Sequence, residues 1–305
     1  MRSDCSIPDH ERVPELPEVQ SLAENLDRRL TGRRVLKLLL ASVSALKTYA
    51  PPPAALEGLA VSGVSRRGKF VDIAMGGGPG AEDTALHLVV HLSRAGWIHW
   101  RDAVAEKRLA LRGPLAARLQ MEDGAALDIT EQGTEKRLAI SIVRDPLEVP
   151  GLRRLGVDAL DPALDLERLA GLLSRRPATL KTALADQAVV AGVGNAYSDE
   201  ILHAARLSPF ARADRLDAEA LERLWGALHD TLGAALERAR ALDIEALKDG
   251  KRMAMAVHGR TGQPCPDCGD TVREVSLASR SFQYCPACQT GGRVYADRRL
   301  SRLLR

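Results

Sequence analysis

Four cysteines near the end of the chain have the spacing of a metal site. Cys265 and Cys268 form one C-x-x-C pair, and Cys285 and Cys288 form a second pair. Two such pairs present four thiolates tetrahedrally to Zn²⁺ across a β-hairpin, whereas Cys5 stands alone. A zinc ion closed by four thiolates does no chemistry and serves to hold a hairpin that is too small for a core of its own. We therefore predict one structural Zn²⁺ and no organic cofactor.

A second candidate site lies where two predicted helices meet. The helix that starts near Lys181 is followed by Gly192-Val193-Gly194 and by a second helix over 196–205, for which Asn195 is the predicted N-cap. Glycines let the backbone approach a ligand closely, and free N–H groups at a helix start bind phosphate. An ordinary turn between two helices explains the same residues. The segment alone leaves both interpretations open.

The segment 14–19, with the sequence PELPEV, precedes the first predicted helix. Pro17 at the first helical position, apolar residues at helical spacing and Gly32 at the end predict a helix over 17–30. Taken alone, the segment indicates a helix entry with acidic residues near the helix N-terminus.

The elements that must position these residues fall into three regions. Short apolar runs between Gly/Pro turns over 35–143 predict an antiparallel sandwich or flattened barrel. Helical spacing over 165–247 predicts an all-α domain, and the last 50 residues are rich in turns. We predict an α+β multidomain chain with four segments: 1–13, an extension; 14–150, a β-sandwich with a leading helix; 151–255, a helical domain; and 256–305, a zinc-finger domain.

Composition and charge exclude several classes of protein. The 305 residues carry 43 Lys plus Arg and 40 Asp plus Glu, a net charge of +3. The segment 251–305 holds 10 basic and 4 acidic residues, so positive charge is concentrated there. No apolar run approaches the ~18–20 residues that a transmembrane helix needs, and residues 1–12 do not have the apolar core of a signal peptide. We expect a cytoplasmic protein with no membrane partner.

Four motifs in this order resemble the formamidopyrimidine-DNA glycosylase and endonuclease VIII family. They are the segment 14–19, the segment 65–70 (SRRGKF), the segment 192–200 (GVGNAYSDE) and the four-cysteine hairpin. The resemblance implies a β-sandwich, a helix-two-turn-helix domain and a zinc finger, with duplex DNA bound between them. It also implies excision of oxidised bases in base excision repair, followed by cutting of the strand at the abasic site. One monomer for each lesion suffices.

The resemblance implies catalytic roles for four residues. Pro14 matches the N-terminal proline whose amine attacks C1′ of the sugar and forms an iminium that leads to β,δ-elimination. Glu15 matches the residue that protonates the sugar ring oxygen, and Glu18 is expected to fix the geometry of this segment. Lys69 matches a hairpin lysine that contacts phosphate near the lesion and assists elimination. Arg280 matches the zinc-finger arginine that grips the phosphates flanking the lesion and donates a proton in δ-elimination.

Five further residues are expected to bind DNA. Asn195 and Lys181 match phosphate-binding positions of the helical domain, and His91 follows the family pattern. Arg94 stands where many relatives have a methionine that fills the gap left by the extruded nucleotide. An arginine there could fill the gap by stacking and hydrogen bonding, or could contact phosphate instead. Arg137 lies in 130–138, where relatives that act on guanine lesions carry an Arg-Arg-Phe-Gly loop. Since no phenylalanine follows here, the choice between oxidised purines and pyrimidines stays open.

One departure concerns the nucleophile itself. Pro14 is internal, and an acylated proline nitrogen is an amide without a usable lone pair. Val13 occupies the place of the initiator methionine, and GTG, a valine codon, also initiates translation in bacteria. We therefore expect translation to begin at residue 13. If the extension is real, the alternative is a non-catalytic protein that binds damaged DNA or abasic sites. A zinc-hairpin module of the ribosomal or transcription type explains the cysteines but not the Pro14-Glu15 pair.

Overall fold

The computed structural model describes residues 13–76, 85–104, 113–132, 135–250, 255–277 and 280–296. Of the predicted extension, 1–12 lie outside the described residues. The chain divides into two compact units, 1–153 with 239–250 and 154–238 with 251–305. Among the described residues, no helix is long and apolar enough to cross a membrane.

The first unit begins with helix α1 (Leu16–Leu30). Pro17 is placed in its first turn, where the missing N–H is not needed. One face of the helix is fully buried in the core of the unit, at Val19, Leu22, Leu26 and Leu30. Burying a side chain of this size contributes about 1.5–3 kcal/mol. The helix begins one residue before its predicted start and ends at the predicted residue.

Two four-stranded antiparallel sheets form the rest of this unit, in the orders β1-β6-β7-β5 and β2-β3-β4-β8. Their inward residues share one hydrophobic core with α1, which confirms the predicted antiparallel sandwich with a leading helix. The strands are β1 (Val35–Leu40), β2 (Ala60–Arg67), β3 (Phe70–Gly76), β4 (Leu86–His91), β5 (Gly96–Arg101), β6 (Leu115–Met121), β7 (Ala126–Glu131) and β8 (Ala139–Val143). The short helix α2 (Pro150–Arg153) follows β8.

The second unit is mainly helical, as predicted, and it also contains a two-residue parallel ladder and an antiparallel hairpin. Its elements are β9 (Val157–Asp158), α3 (Leu166–Ser174), α4 (Leu180–Leu184), β10 (Val190–Ala191), α5 (Asn195–Ala204), most of α6 (Ala218–Arg240), β11 (Arg273–Leu277), β12 (Arg280–Tyr284) and α8 (Pro286–Thr290). The hairpin β11–β12 lies between the two cysteine pairs, where the sequence predicts it.

The two compact units do not coincide with the predicted segments, since the second unit includes both the helical and the zinc-finger segments. Residues 239–250, which include α7 (Leu247–Gly250), belong to the first unit, although the sequence places them in the helical domain. The physical reason is apolar packing, since Ala239, Ile244 and Leu247 are buried in the core that α1 and the two sheets share.

Candidate active site and zinc centre

The start of α1 fixes the backbone around the predicted nucleophile. Glu15 is the N-cap residue, and its backbone N–H donates to Glu18 Oε2 over 2.9 Å. The Glu15 carboxylate accepts in return from the backbone of Glu18, which completes a capping box. Pro14 and both carboxylates are buried. The three residues expected to work together at this segment are therefore adjacent and rigidly held.

Lys69 lies in the turn between β2 and β3. The turn is tight, with Arg67 opposite Phe70 and with Gly68 at a φ of 58°. A positive φ at this point is the conformation that glycine adopts without strain. Lys69 is half-buried at the tip of the hairpin.

His91 lies at the end of β4 and is paired with Phe70 on the adjacent strand β3. The two rings are 4.5 Å apart between centroids. Burial, together with the positive charge of Lys69, lowers the pKa of His91 to about 4. His91 is therefore a neutral imidazole near neutral pH, able to donate one hydrogen bond and accept another.

Arg94 is exposed in the turn that joins β4 to β5. Ser93 before it has a φ of 57°, and a Cβ at Gly96 would lie 2.2 Å from the Leu92 carbonyl oxygen. The turn is therefore closed so tightly that only glycine fits at position 96. This rigid turn holds the Arg94 side chain out of the sandwich.

Arg137 lies in the loop between β7 and β8. Its backbone N–H donates to Glu131 Oε1 over 2.5 Å, and its guanidinium is 2.9 Å from Glu135 Oε2. Residues 133 and 134 of this loop lie outside the described residues. The side chain of Arg137 is 55% exposed, so it is accessible to a partner.

His87 and His99, for which the sequence indicates no role, have carboxylate partners. His87 Nδ1 is 2.8 Å from Asp72 Oδ1, and the other oxygen of Asp72 accepts from Arg67 Nε over 2.8 Å. His99 Nδ1 is 2.7 Å from Glu245 Oε2. The buried Asp72 thus braces the hairpin that carries Lys69, a contact that depends on strand register.

In the second unit, Gln187 organises the glycine turn ahead of α5. Its side-chain oxygen accepts from the Gly192 N–H over 3.0 Å, and its amide group donates to the Val193 carbonyl over 2.5 Å. Gly192 has a φ of 99°. The turn therefore delivers the chain to the start of α5 in one conformation.

Asn195 and Arg280 come together at the start of strand β12. Asn195 Nδ2 donates to Ser281 Oγ over 3.1 Å, while its Oδ1 is buried with no hydrogen-bond partner among the described residues. Arg280 donates to the Thr182 carbonyl over 3.3 Å. The unit therefore brings these two expected phosphate-binding residues together at β12.

Lys181 occupies a different position from the one that the sequence suggests. Its side chain is fully buried, and its ammonium group hydrogen bonds Asp199 and the Ser281 carbonyl. The ammonium group also lies 5.2 Å from the centroid of the Phe282 ring. A lysine enclosed in this way is not presented to solvent, and its direct contact with a phosphate stays a prediction. Its partners lie 18 and 100 residues away in sequence, so no local pattern could have shown them.

Asp199 and Glu200 were not predicted from the sequence as site residues, but both form several hydrogen bonds that hold the second unit together. Glu200 accepts three backbone N–H groups, from Ala256, Val257 and His258, over 2.7–2.9 Å. Asp199 lies 2.9 Å from His258 Nδ1. The two carboxylates thereby attach α5 to the segment that leads into the cysteine hairpin.

The four predicted cysteines converge on one point. Their Sγ atoms all lie within 4.8 Å of one another. Cys265 and Cys288 are separated by 3.9 Å, and Cys268 and Cys285 by 3.4 Å. A tetrahedron with Zn–S bonds of about 2.3 Å has edges of about 3.8 Å, so these residues fit one zinc ion. The four thiolates bind a structural Zn²⁺ that pins the ends of the hairpin.

His203 extends the zinc centre into α5. Its Nε2 is 3.3 Å from the Sγ of Cys265, and its side chain is buried. An imidazole N–H that donates to a ligating thiolate orients that ligand. The helix that begins at Asn195 is therefore also attached to the zinc site.

Three family descriptions match successive parts of the chain. Residues 13–135 match the formamidopyrimidine-DNA glycosylase N-terminal domain, and residues 155–244 match the H2TH domain of the same glycosylase. Residues 262–291 match the zinc finger found in FPG and IleRS.

Individual relatives agree with these matches. The formamidopyrimidine-DNA glycosylase of Symbiobacterium thermophilum is 32% identical over 91% of this chain and 89% of its own length. An uncharacterized formamidopyrimidine-DNA glycosylase-like protein of Mycobacterium tuberculosis is 54% identical over 51% of this chain and 98% of its own length.

A solved structure places the fold in the same group. The MutM (FPG) protein of Thermus thermophilus superimposes with a TM-score of 0.75 at 32% identity, covering 90% of this chain and 98% of that chain. The matched domains, the four-cysteine centre and this full-length similarity agree. The chain belongs to the formamidopyrimidine-DNA glycosylase family.

Proposed function

We propose that this protein removes oxidised bases from duplex DNA as a bifunctional glycosylase and abasic-site lyase, with the amine of Pro14 as nucleophile. The observation that carries the proposal is the Pro14-Glu15 pair, held at the capped start of α1 in a chain of this family. Lactococcus lactis Fpg, which is 22% identical and shares the fold, has been solved with abasic-site DNA and with DNA that contains N7-benzyl-Fapy-dG. Base excision repair in the cytoplasm, by a monomer, is the setting that we assign.

Pro14 supplies the chemistry of covalent catalysis. A terminal amine has a pKa near about 8, so a useful fraction is unprotonated near neutral pH, unlike a lysine amine at about 10.4. The nitrogen attacks C1′, and the bond from C1′ to the base breaks with its electrons leaving on the base. Loss of the amine proton gives an aminal with the sugar ring still closed, and cleavage of the C1′–O4′ bond, with a proton delivered to O4′, then gives the iminium. The iminium acidifies the neighbouring sugar protons and so promotes β- and then δ-elimination.

The attack requires that Pro14 be the first residue of the active protein. The family match begins at residue 13, where Val13 stands in the place of an initiator methionine. Start of translation at this codon, followed by removal of the initiator residue, exposes the amine. In the full 305-residue chain the same nitrogen is an amide and cannot attack.

Glu15 is the proton donor in this scheme. Its side chain is 1% exposed and fixed by the capping box, so the carboxyl group keeps one orientation beside the nucleophile. A positioned acid that protonates the sugar ring oxygen opens the ring and contributes typically about 10²–10⁴-fold. Glu18 holds the backbone N–H of Glu15 and so acts as a positioning residue.

Phosphate binding is assigned to Lys69 in the first unit and to Arg280 and Asn195 in the second. A guanidinium fork matches two phosphate oxygens, and the Arg280 side chain is anchored on a hairpin whose ends zinc holds. Asn195 lies at the start of α5, where the helix dipole favours an anion. These contacts fix the register of the DNA and read no sequence.

Arg94, His91 and Arg137 are assigned to the region around the extruded nucleotide. An enzyme that acts on a base must take it out of the stack, and a side chain has to fill the gap. Arg94 is exposed on a rigid turn and has a planar group that can stack on bases. His91 as a neutral donor and Arg137 as an exposed cation would contact the DNA beside it.

The direct test is excision from duplexes that contain 8-oxoguanine, a formamidopyrimidine or a dihydropyrimidine, using protein that begins at Pro14. We expect base release and a strand cut that leaves phosphate on both ends, as β,δ-elimination requires. Duplex without a lesion is the control. Absence of base release from all three lesions would contradict the proposed activity.

A non-catalytic damage-binding protein is the second candidate, and the internal position of Pro14 in the sequence is the observation that favours it. On this hypothesis the full chain binds an abasic duplex tightly but neither releases a base nor cuts the strand. The same assay therefore separates the two functions.

A further inference from the structure

The second unit contains a fully buried ion pair that the proposed reaction does not use. Lys181 of α4 and Asp199 of α5 have side chains with no exposed surface, and the ammonium group donates to Asp199 Oδ1. Withdrawing both charges from water carries a large desolvation penalty, which close pairing and further hydrogen bonds offset.

Further hydrogen bonds link this pair to two other segments. The Lys181 ammonium also donates to the Ser281 carbonyl, and the Gln283 N–H of β12 donates to Asp199 Oδ1 over 3.2 Å. The other oxygen of Asp199 lies 2.9 Å from His258 Nδ1. One ion pair therefore fixes α4, α5, β12 and the approach to the zinc finger.

The residues that the pair holds are neighbours of the expected phosphate-binding groups. Ser281 adjoins Arg280 in sequence, and its hydroxyl accepts from Asn195 Nδ2 over 3.1 Å. Arg280 in turn donates to the carbonyl of Thr182, the residue that follows Lys181. A shift of the pair would therefore move the two phosphate-binding side chains relative to each other.

We propose that Lys181 and Asp199 are positioning residues that set the relative geometry of Arg280 and Asn195, and that Lys181 does not itself grip DNA. This inference rests on the proposed function, since it assumes that Arg280 and Asn195 bind phosphate. A positioning role predicts that Asp199→Asn weakens DNA binding, whereas direct contact of Lys181 with phosphate predicts that it strengthens binding.

The decisive variant is Asp199→Asn, tested by binding of protein that begins at Pro14 to a duplex with a stable abasic-site analogue. If Lys181 contacted phosphate, removing its counter-ion would strengthen binding, because one negative charge is lost. If the pair positions Arg280, the loss weakens binding, by about 10- to 100-fold for a misplacement near 1 Å. Asp230→Asn, on an exposed face of α6 in the same unit, controls for the general effect of charge.

Two double variants separate positioning from loss of stability. In the Asp199→Asn background, Arg280→Met should have little further effect, since Arg280 is already displaced, whereas independent effects would add. Lys181→Met with Asp199→Asn leaves no unpaired buried charge and should bind more tightly than Lys181→Met alone. Zinc content of one ion per chain serves as the check that a variant is folded. If either single variant fails this check, the double variant Lys181→Met with Asp199→Asn is compared with wild type in its place.

The outcomes are distinguishable from failure of the proposed function. Tighter binding by Asp199→Asn, additive loss with Arg280→Met, or no recovery in the neutral double variant would each overturn the positioning role while wild-type binding stands. Wild-type protein that does not prefer the abasic duplex over an undamaged one would instead remove the proposed function on which the inference rests.

Discussion

Individual side chains in the first unit acquire their chemical character from burial. Glu15 is 1% exposed and locked by Glu18, which suits directed proton transfer, whereas His91 is kept neutral by burial and by the charge of Lys69. The residue types and their order could be predicted from the sequence, but the state of His91 could not. It depends on strand pairing that places Phe70 across the sheet from His91.

Glu15→Gln should separate the two chemical steps. Loss of the acid is expected to reduce base excision by about 10²-fold or more, because ring protonation belongs to that step. Cutting of a preformed abasic site should fall much less. Excision and cutting are followed on matched duplexes, with Glu57→Gln on the surface of the same unit as the control. An equal loss on both substrates would refute the role given to Glu15.

His91 should titrate near pH 4, and its midpoint should respond to Lys69. The folded pKa of about 4 lies below the ordinary 6.5, so the unfolded chain binds the proton more readily in this interval. The stability that neutral His91 contributes is therefore present above about pH 6.5 and is lost as pH falls toward 4. In Lys69→Met the midpoint should rise but stay below 6.5, since burial is the larger cause. Proton NMR of the imidazole measures both, and a wild-type midpoint near 6.5 would disagree.

Arg94→Ala should weaken excision by about tenfold, because an aromatic side chain stacked on a base is worth about 1–3 kcal/mol and the planar guanidinium is expected at the lower end of this range. Arg94→Met should retain most of the activity if the side chain fills the gap in the stack, since methionine has similar reach without the charge. If Met is as damaging as Ala, Arg94 acts on a phosphate instead. Excision rates of the three proteins decide between these roles.

At the scale of elements, the sequence predicts an element correctly where residues within or next to that element determine its start and end. Pro17 and the periodic leucines predict α1 to within one residue, and the two C-x-x-C pairs predict the β11–β12 hairpin between them. Local signals failed where distant packing decides. The burial of Lys181 depends on its partners Asp199 and Ser281, which are distant in sequence. Residues 239–250 belong to the first unit because they pack into the core of that unit.

Removal of zinc should abolish binding to damaged duplex. The hairpin is tied to the metal through all four cysteines, three of which belong to or pack against a small cluster of buried residues with Val257 and Val272. A structural zinc site contributes folding energy that is lost with the metal. Binding is measured before and after chelation, with metal content determined directly and zinc added back as the control. Unchanged binding by verified zinc-free protein would show that Arg280 does not need the hairpin.

At the scale of the whole molecule, the sequence combines a near-neutral chain with a basic C-terminal segment. The net charge is +3, yet 251–305 carries 10 basic and 4 acidic residues. This segment contains the zinc hairpin and Arg280, so the positive charge is concentrated in the same part of the sequence as a proposed phosphate contact. The proposed nucleophile, the amine of Pro14, lies near the other end of the sequence.

Borohydride trapping on an abasic duplex tests the role of the Pro14 amine most directly, because reduction of the iminium leaves a stable covalent adduct. Protein that begins at Pro14 is compared with the full 305-residue chain and with a Pro14-start variant whose amine is acetylated. We predict an adduct with the free Pro14 amine alone, located at residue 14 by mass spectrometry of the digested complex. An adduct of equal yield from the full chain or the acetylated protein, or none from the Pro14 form despite tight binding, would contradict the proposed mechanism.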